Sequence, residues 1–338
     1  MVTYPDRRQP ASSWLQGASA VVVLAFDVDA ESPILAEDER YAEDLSTMSH
    51  QAYGPRVGVP RILDLLRSHG IEGTFFVPGV TAERCPETVR AIAGAGHEVA
   101  LHGHSHRVLP GMAEDEQRRD LERGLKALSG LGVEPHGYRA PYWRLTRPTL
   151  DLLARYGIRY DSSLMDDDRP YRLSTAAGEV AELPVHWSLD DWEQYAFLPE
   201  PDIGQRIENP RDVAEIWKGE LDAMRKTNSL CVLTCHPFLS GRPSRLRAIE
   251  DFIEFASDCS DVRFSRADRL ADLSSEMPRT EPRSLAPERG DAKSAIRLAP
   301  TCRSGARPAL SSASIHSAQF LEHQGSLLRM PRVPQPSR

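Results

Sequence analysis

The chain has 338 residues, 40% of them hydrophobic and 27% charged, with a formal net charge of −8. That length can bury a sizeable core in one large domain or two ordinary ones, and the negative charge disfavours a protein that coats nucleic acid or an anionic membrane. No run approaches the ~18 apolar residues of a membrane helix, and five cysteines at irregular spacings fit a reducing compartment better than a disulfide framework.

Arg7 and Arg8 precede the apolar stretch Ala18–Phe26, as in an export signal, but the stretch runs directly into Asp27 and Asp29. It reads as a first strand, so no signal peptide is expected and the location is cytoplasmic. Ser32 to Pro60 follows as a long irregular segment, the kind that forms a lid, a subunit contact or a disordered loop. In Ile62, Leu63, Leu65 and Leu66 the apolar pairs fall on one helical face, and Gly70 supplies the stop. Further strands are expected at Gly73–Val77, Glu98–His102, Leu183–His186 and Leu230–Cys235, with weaker ones at Gly137–Arg139, Ile158–Tyr160 and Val262–Phe264. Helical spacing recurs at Glu114–Leu128, Thr149–Arg155, Val213–Met224 and Leu246–Ala256. This alternation reads as an α/β protein with a mainly parallel sheet. The stretch 276–338 holds 10 of the 41 Lys and Arg, 5 of the 49 Asp and Glu, and 8 of the 26 prolines. It is therefore expected to be a disordered basic tail behind a catalytic domain at 1–275.

The chemically active residue types gather at strand ends, where parallel α/β folds build their sites. Asp27 and Asp29 end the first strand, His102, His104 and His106 the third, Arg139 the fourth and His236 the strand Leu230–Cys235. His102 and His106 are four apart, so a helical turn would place both on one face to grip a cation such as Zn²⁺. Three histidines in five residues argue against a chance loop; His104 would face elsewhere, and His97 would hold backbone groups at strand entry. In a continuing strand Asp27 and Asp29 share a face. One could ligate while the other accepts a proton from metal-bound water, although an Asp-x-Asp alone also fits a turn cap or a Ca²⁺-type cluster. His236 could protonate a leaving amine. Arg139 could pair with Asp27 and hold its charge and orientation, or form a surface salt bridge.

Together these segments resemble the polysaccharide deacetylase family of metal-dependent carbohydrate esterases. The matching motifs are Phe26-Asp27-Val28-Asp29, His102-Gly103-His104-Ser105-His106, Arg139-Ala140-Pro141-Tyr142, and Leu233 to Pro237, where Thr234-Cys235 adds one residue to a Leu-x-His-Pro pattern. The resemblance covers about residues 18–275 and implies a distorted (β/α) barrel of about seven parallel strands. It implies Asp29, His102 and His106 as ligands of a divalent metal, Zn²⁺ foremost with Co²⁺, Mn²⁺ or Ni²⁺ as alternatives. It also implies Asp27 as base, His236 as acid, Arg139 as partner of Asp27, and the backbone near Tyr142 at an oxyanion hole. Trp192, with Trp187 second, is the candidate for the tryptophan that lines the family's pocket. The family's first motif has adjacent aspartates, whereas Val28 separates them here, so the roles of Asp27 and Asp29 could exchange.

The segments Tyr53–Arg61 and His236–Arg245 are similar to an intracellular branch that includes peptidoglycan-deacetylase-like proteins, cyclic imide hydrolases and metal-free allantoinases. The two histidines and the aspartate argue against the metal-free type. Arg242 and Arg245 could bind an anionic substrate or pair with acids on the barrel rim. The expected activity is hydrolysis of a non-peptide C–N bond. A small cyclic imide or related amide is preferred over an N-acetylated sugar of peptidoglycan or chitin, given the absence of an export signal and only 7% aromatic residues for a polymer groove. A metal- or sugar-binding scaffold without catalysis is a third reading, disfavoured because base and acid candidates are both present. By analogy with the branch, the chain is expected to be a homo-oligomer, with no nucleic-acid or membrane partner.

Overall fold

The computed structural model describes residues 13–280, and the following account concerns these. Its centre is β1 (Ala20–Asp27), apolar from Ala20 to Phe26 and buried along its whole length. Continuous apolarity marks a strand covered on both faces. The other strands are β2 (Thr74–Val77), β3 (Glu98–Leu101), β4 (Gly137–Tyr138), β5 (Tyr160–Asp161), β6 (Tyr171–Thr175), β7 (Gly178–Glu182), β8 (Phe197–Pro199), β9 (Asp202–Gln205), β10 (Leu230–Cys235), β11 (Val262–Phe264) and β12 (Arg279–Thr280). Seven run parallel in the order β10-β1-β2-β3-β4-β5-β7, and a parallel bridge between Asp190 and Thr234 brings the chain after β7 back to β10. The result is the expected distorted barrel of about seven parallel strands. β6 adds antiparallel to β7, β12 parallel to β6, and β11 parallel to the first residues of β1.

The period-two alternation of strands explains where the chemistry falls. Val21, Val23, Ala25, Phe76, Ala100, Tyr160, Leu230 and Val232 pack together inside the barrel, while Val22, Leu24, Phe26, Val99 and Leu101 pack outward under the helices. Continuing the inward columns toward the carboxyl ends gives Asp27 and Asp29 after Ala25, His102 after Ala100, Ser162 after Tyr160, and Thr234 and His236 after Val232. The barrel is thus apolar at one end and polar at the other.

Helices cover the outside. Val59–His69 buries Val59, Ile62, Leu65 and Leu66 and stops at Gly70, whose φ of 65° is the left-handed turn that glycine favours. Glu114–Ser129, Arg147–Arg155, Pro210–Thr227 and Pro243–Asp258 each extend the expected helix by one to three residues at one or both ends.

Several expectations are corrected. Ser32–Pro60 is not irregular: it folds as the helix Ser32–Glu37, a 3₁₀ turn Glu39–Glu43, the helix Leu45–Tyr53 capped by Asp44, and a π turn Gly54–Gly58 leading into Val59–His69. The strand placed at Leu183–His186 is instead β7, ending at Glu182. Pro184 has no N–H for a ladder, although Leu183 and Val185 still donate to Asp161 and Leu164. Met277 is buried and Arg279–Thr280 pairs with β6, so the fold passes the boundary expected at 275. Residues 281–338, most of the expected tail, lie outside the described residues.

Two glycines set how the segment before Val59 meets the segment after β10. A Cβ on Gly58 would overlap the Pro237 carbonyl, and one on Gly241 would overlap Gly58. Gly58→Ala must therefore push the backbone beside His236. It is expected to cost about 1–3 kcal/mol in urea unfolding. Gly219→Ala, on an open face of the helix Pro210–Thr227, is expected to be neutral or stabilising by up to ~1 kcal/mol.

Candidate active site

Asp27 and Arg139 form the deepest part of the site, with the arginine fully buried. Its Nη1 lies 2.7 Å from Asp27 Oδ1 and donates to Thr234 Oγ1 at 3.2 Å. Nε and Nη2 donate to the carbonyl and hydroxyl of Ser162, each at 3.0 Å. The guanidinium covers the Phe76 ring at 4.0 Å. An ion pair removed from water holds only when its remaining hydrogen bonds are satisfied, and here neighbouring strands supply them.

Asp29 stands between two imidazoles. His102 Nε2 is 3.5 Å from Oδ1 and His106 Nε2 is 3.4 Å from Oδ2. His102 Nδ1 lies 2.8 Å from the Arg139 carbonyl, which accepts its proton and leaves the Nε2 lone pair facing Asp29. The expected helical turn at 102–106 does not exist. A loop with Gly103 at φ 65° and His106 at φ 56° brings the rings to 5.0 Å. Asp120 holds that loop, accepting from the His104 amide at 2.7 Å and from the amide and hydroxyl of Ser105 at 3.1 and 2.6 Å.

A cation fits this donor set. Asp29 Oδ1 is buried and no protein group donates to it. Burial would raise the Asp29 carboxyl, but the histidines, His106 first, hold it well below the usual carboxylate range. Burial pushes His102 the other way, toward its neutral form, against Asp27 and Asp29. A divalent metal takes the carboxylate ionised and the imidazoles neutral, so it would replace the positive charge that the histidines lend Asp29.

His236 occupies the facing wall. Its Nδ1 is 2.7 Å from Asp191 Oδ1, and its amide also donates to Asp191. Nε2 is 3.6 Å from Asp29 Oδ2. Burial works to lower the His236 pKa, but the Asp191 hydrogen bond and the charges of Asp191, Asp190 and Asp29 outweigh it and push it up to about 10. Burial raises Asp190 to about 7, with His236 opposing and Asp191 adding. Asp190, Asp191 and His236 are also close enough to hold an ion. There, however, both Asp191 oxygens already accept protein donors, from the His236 amide and from the Ser240 hydroxyl.

These groups line a cavity of about 110 Å³ with Tyr142, Trp143, Trp187, Trp192 and Glu193 on its walls. Tyr142 and Trp143 both sit in the left-handed region, at φ 56° and 54°. The Tyr142 ring meets His106 edge-on at 4.9 Å, and Trp192 meets His236 at 5.1 Å. The structure therefore gathers Asp27, Asp29, His102, His106, Tyr142, Trp192 and His236 around one space, with Arg139 behind Asp27. Arg242 does not join them. It caps the helix Pro243–Asp258, and its guanidinium lies 3.6 Å over the Tyr53 ring, outside the cavity lining. His97 accepts from the Gly73 amide at 3.1 Å, and His104 lies outside the lining, as expected. Asp191, Asp190 and Trp143 were missed. Asp190 and Asp191 stand beside Trp192 in sequence, and the Asp190–Thr234 bridge, which the sequence does not reveal, carries them to His236. A larger cavity of about 790 Å³ lies between the helices Val59–His69 and Pro86–Gly94; His97 lines it, and none of the residues lining the smaller cavity does.

Residues 52–160 match the polysaccharide deacetylase family model. A peptidoglycan deacetylase of Helicobacter pylori is 28% identical over 281 residues, covering 75% of this chain and 95% of its own. A Mycobacterium smegmatis protein whose crystal structure is named for polysaccharide deacetylase superposes with a TM-score of 0.77 at 47% identity, covering 84% of this chain and 97% of that one. The Puue allantoinase superposes at 0.69 with 26% identity, covering 80% and 97%. The fold and its site are those of a hydrolase of non-peptide carbon–nitrogen bonds. The chain belongs to the polysaccharide deacetylase family.

The geometry predicts graded metal affinities. Asp120→Ala, which acts only through the loop, is expected to weaken Zn²⁺ binding about 10- to 100-fold. Asp29→Ala is expected to weaken it beyond that range, and Asp27→Ala to leave the bound stoichiometry near that of the wild type. Titration with a competing chelator measures all three.

Proposed function

We propose that this chain opens a small cyclic imide or related cyclic amide by hydrolysis. Asp29, His102 and His106 are assigned to a divalent cation, Zn²⁺ first, with Co²⁺, Mn²⁺ or Ni²⁺ compatible with the same nitrogen and oxygen donors. Such a cation, when bound, polarises a carbonyl and lowers the pKa of water. Asp27 is assigned as base. Arg139 occupies Oδ1, while Oδ2 faces the donor set, 3.7 Å from His102 Nε2, and can take a proton from the attacking water. His236 is assigned as acid. Asp191 holds Nδ1, so the proton on Nε2 is the one available to the departing nitrogen. The Tyr142 amide is assigned to the oxyanion, and Trp192 with Tyr142 to the substrate walls. Water adds across the C–N bond as it breaks, and an imide ring opens to an acid and an amide, a cyclic amide to an acid and an amine.

The observation that carries this reading is the size of the cavity. About 110 Å³ is small beside the ~300 Å³ at the lower end of ordinary ligand sites, and three tryptophans line its walls. A planar ring of five or six atoms suits it. The likeness to an allantoinase adds that this fold also carries ring amide chemistry. A second reading is N-deacetylation of N-acetylated sugars, favoured by the Helicobacter pylori and Mycobacterium smegmatis names. It uses the same residues on an acetamido group. A cytoplasmic homo-oligomer accompanies the first reading by analogy with the intracellular branch. Among the described residues no helix is long and apolar enough to cross a membrane.

Mass spectrometry of one reaction containing Zn²⁺-loaded protein, simple cyclic imides and N-acetylglucosamine oligomers separates the two. A product heavier by one water is expected. A product lighter by an acetyl group would overturn the ring reading in favour of the second. In the same assay His236→Ala is expected to lower kcat about 100- to 10,000-fold with metal content retained. Loss of metal in that variant would make His236 a ligand instead.

A further inference from the structure

Asp161 ends β5 and Glu182 ends β7, the two are partners in register, and both are fully buried. Neither lines the cavity. Half of their oxygens have donors. Glu182 Oε1 accepts from the Ser163 and Leu164 amides at 3.0 and 2.9 Å, and Asp161 Oδ1 accepts from the Ser163 hydroxyl at 2.9 Å. The other oxygens, Asp161 Oδ2 and Glu182 Oε2, receive no protein donor. The two carboxyls stand on register partners of adjacent strands, each with one orphan oxygen. Two adjacent carboxylates cannot both stay ionised in a dry site, and one proton between the orphan oxygens satisfies both.

What the pair holds reaches the reaction centre. Ser163 Oγ accepts the Ala140 amide at 2.9 Å. Ser162 binds the Arg139 side chain through its carbonyl and its hydroxyl, and that hydroxyl donates onward to the Leu183 carbonyl at 2.9 Å. Arg139 then holds Asp27 through its guanidinium and His102 through its carbonyl. The turn Ser162–Ser163 is thus gripped from below by Asp161 and Glu182 and grips from above the segment that orients base and ligand.

We propose that Asp161 and Glu182 are positioning residues, clamping the Ser162–Ser163 turn through one shared proton and so setting Arg139 and Asp27 for proton transfer. The role assigned to Asp27 rests on the function proposed above; the clamp itself does not. Burial, with Asp161 reinforcing it, pushes Glu182 well above the carboxylate range, and burial brings Asp161 to about 6. The other ionisable groups facing the pair are Arg139, Tyr138 on β4, and Tyr171 on β6, whose hydroxyl binds Asp166.

The test compares Glu182→Gln with Glu182→Ala in the full chain. A carboxamide still accepts the two amides and donates to Asp161, so Glu182→Gln is expected to keep kcat within about twofold. Glu182→Ala is expected to lower kcat at least tenfold, with KM and Zn²⁺ stoichiometry within about twofold. Equal loss in both variants, or wild-type kcat in the alanine variant, would overturn the proposal. Thermal melting from pH 5 to 9 gives a readout that needs no substrate and no alanine variant. The folded pair keeps a proton that the unfolded chain releases near the ordinary Glu value of 4.5, so wild-type stability falls as pH rises above it. The carboxamide has no such proton to lose. The Tm of Glu182→Gln minus that of the wild type is therefore expected to rise steadily with pH, and a flat difference would exclude the shared proton. If no panel substrate is turned over while the melting difference rises, the clamp stands and the functional reading fails.

Discussion

Two carboxylates buried two residues apart at the end of β1 must each be neutralised, and the site is organised around that requirement. Asp27 meets it within the protein, through an arginine that neighbouring strands hold by its other nitrogens. Asp29 does not. Its neighbours are imidazoles, one of them pushed toward its neutral form by burial, and one of its oxygens has no donor. Asp29 thus keeps an oxygen without a protein donor beside two imidazoles, whereas Asp27 is paired to Arg139, and this difference supports the ligand and base roles proposed for them.

The opposite wall is balanced differently. Asp191 spends both oxygens on His236 and Ser240, so that cluster closes without an added ion and leaves one imidazole nitrogen facing the cavity. The site thus draws its groups from four strand ends. In the proposed reading the segments after β1 and β3 would hold the metal, the one after β4 would fix the base, and the one after β10 would present the acid. The substrate space between them is small because large aromatic side chains occupy its rim, and Trp143 reaches that rim from a left-handed backbone that glycine would adopt more readily.

Much of this is legible in sequence for a simple reason. A buried parallel strand reads as an apolar run, and the first polar residues after it mark the end that faces the site. Ala20–Phe26 before Asp27 and Leu230–Cys235 before His236 mark both the strands and the candidate residues at their ends. The same rule fails where polarity and burial part company. β7 ends in a buried Glu182 whose partners lie on other strands, and its pairing with β6 was overlooked despite the Ala176-Ala177-Gly178 turn. The helices between Ser32 and Pro60 carry little periodicity because they are short, and Pro33 and Pro55, which open their elements, read as breaks. The histidine pair was recognised, but for the wrong geometry, since left-handed residues and Asp120 do what a helical turn was expected to do. Arg242, a candidate for an anionic substrate or for a rim acid, instead lies over the aromatic face of Tyr53, which is distant in sequence.

The claim on which the account turns is that Asp29, not Asp27, completes the cation site. Anomalous diffraction at the zinc edge from crystals soaked in Zn²⁺ tests it directly. The account predicts a single strong peak within about 2.0–2.2 Å of an Asp29 oxygen and the Nε2 atoms of His102 and His106, with Asp27 still paired to Arg139. A peak bound by Asp27, or one seated among Asp190, Asp191 and His236, would contradict it.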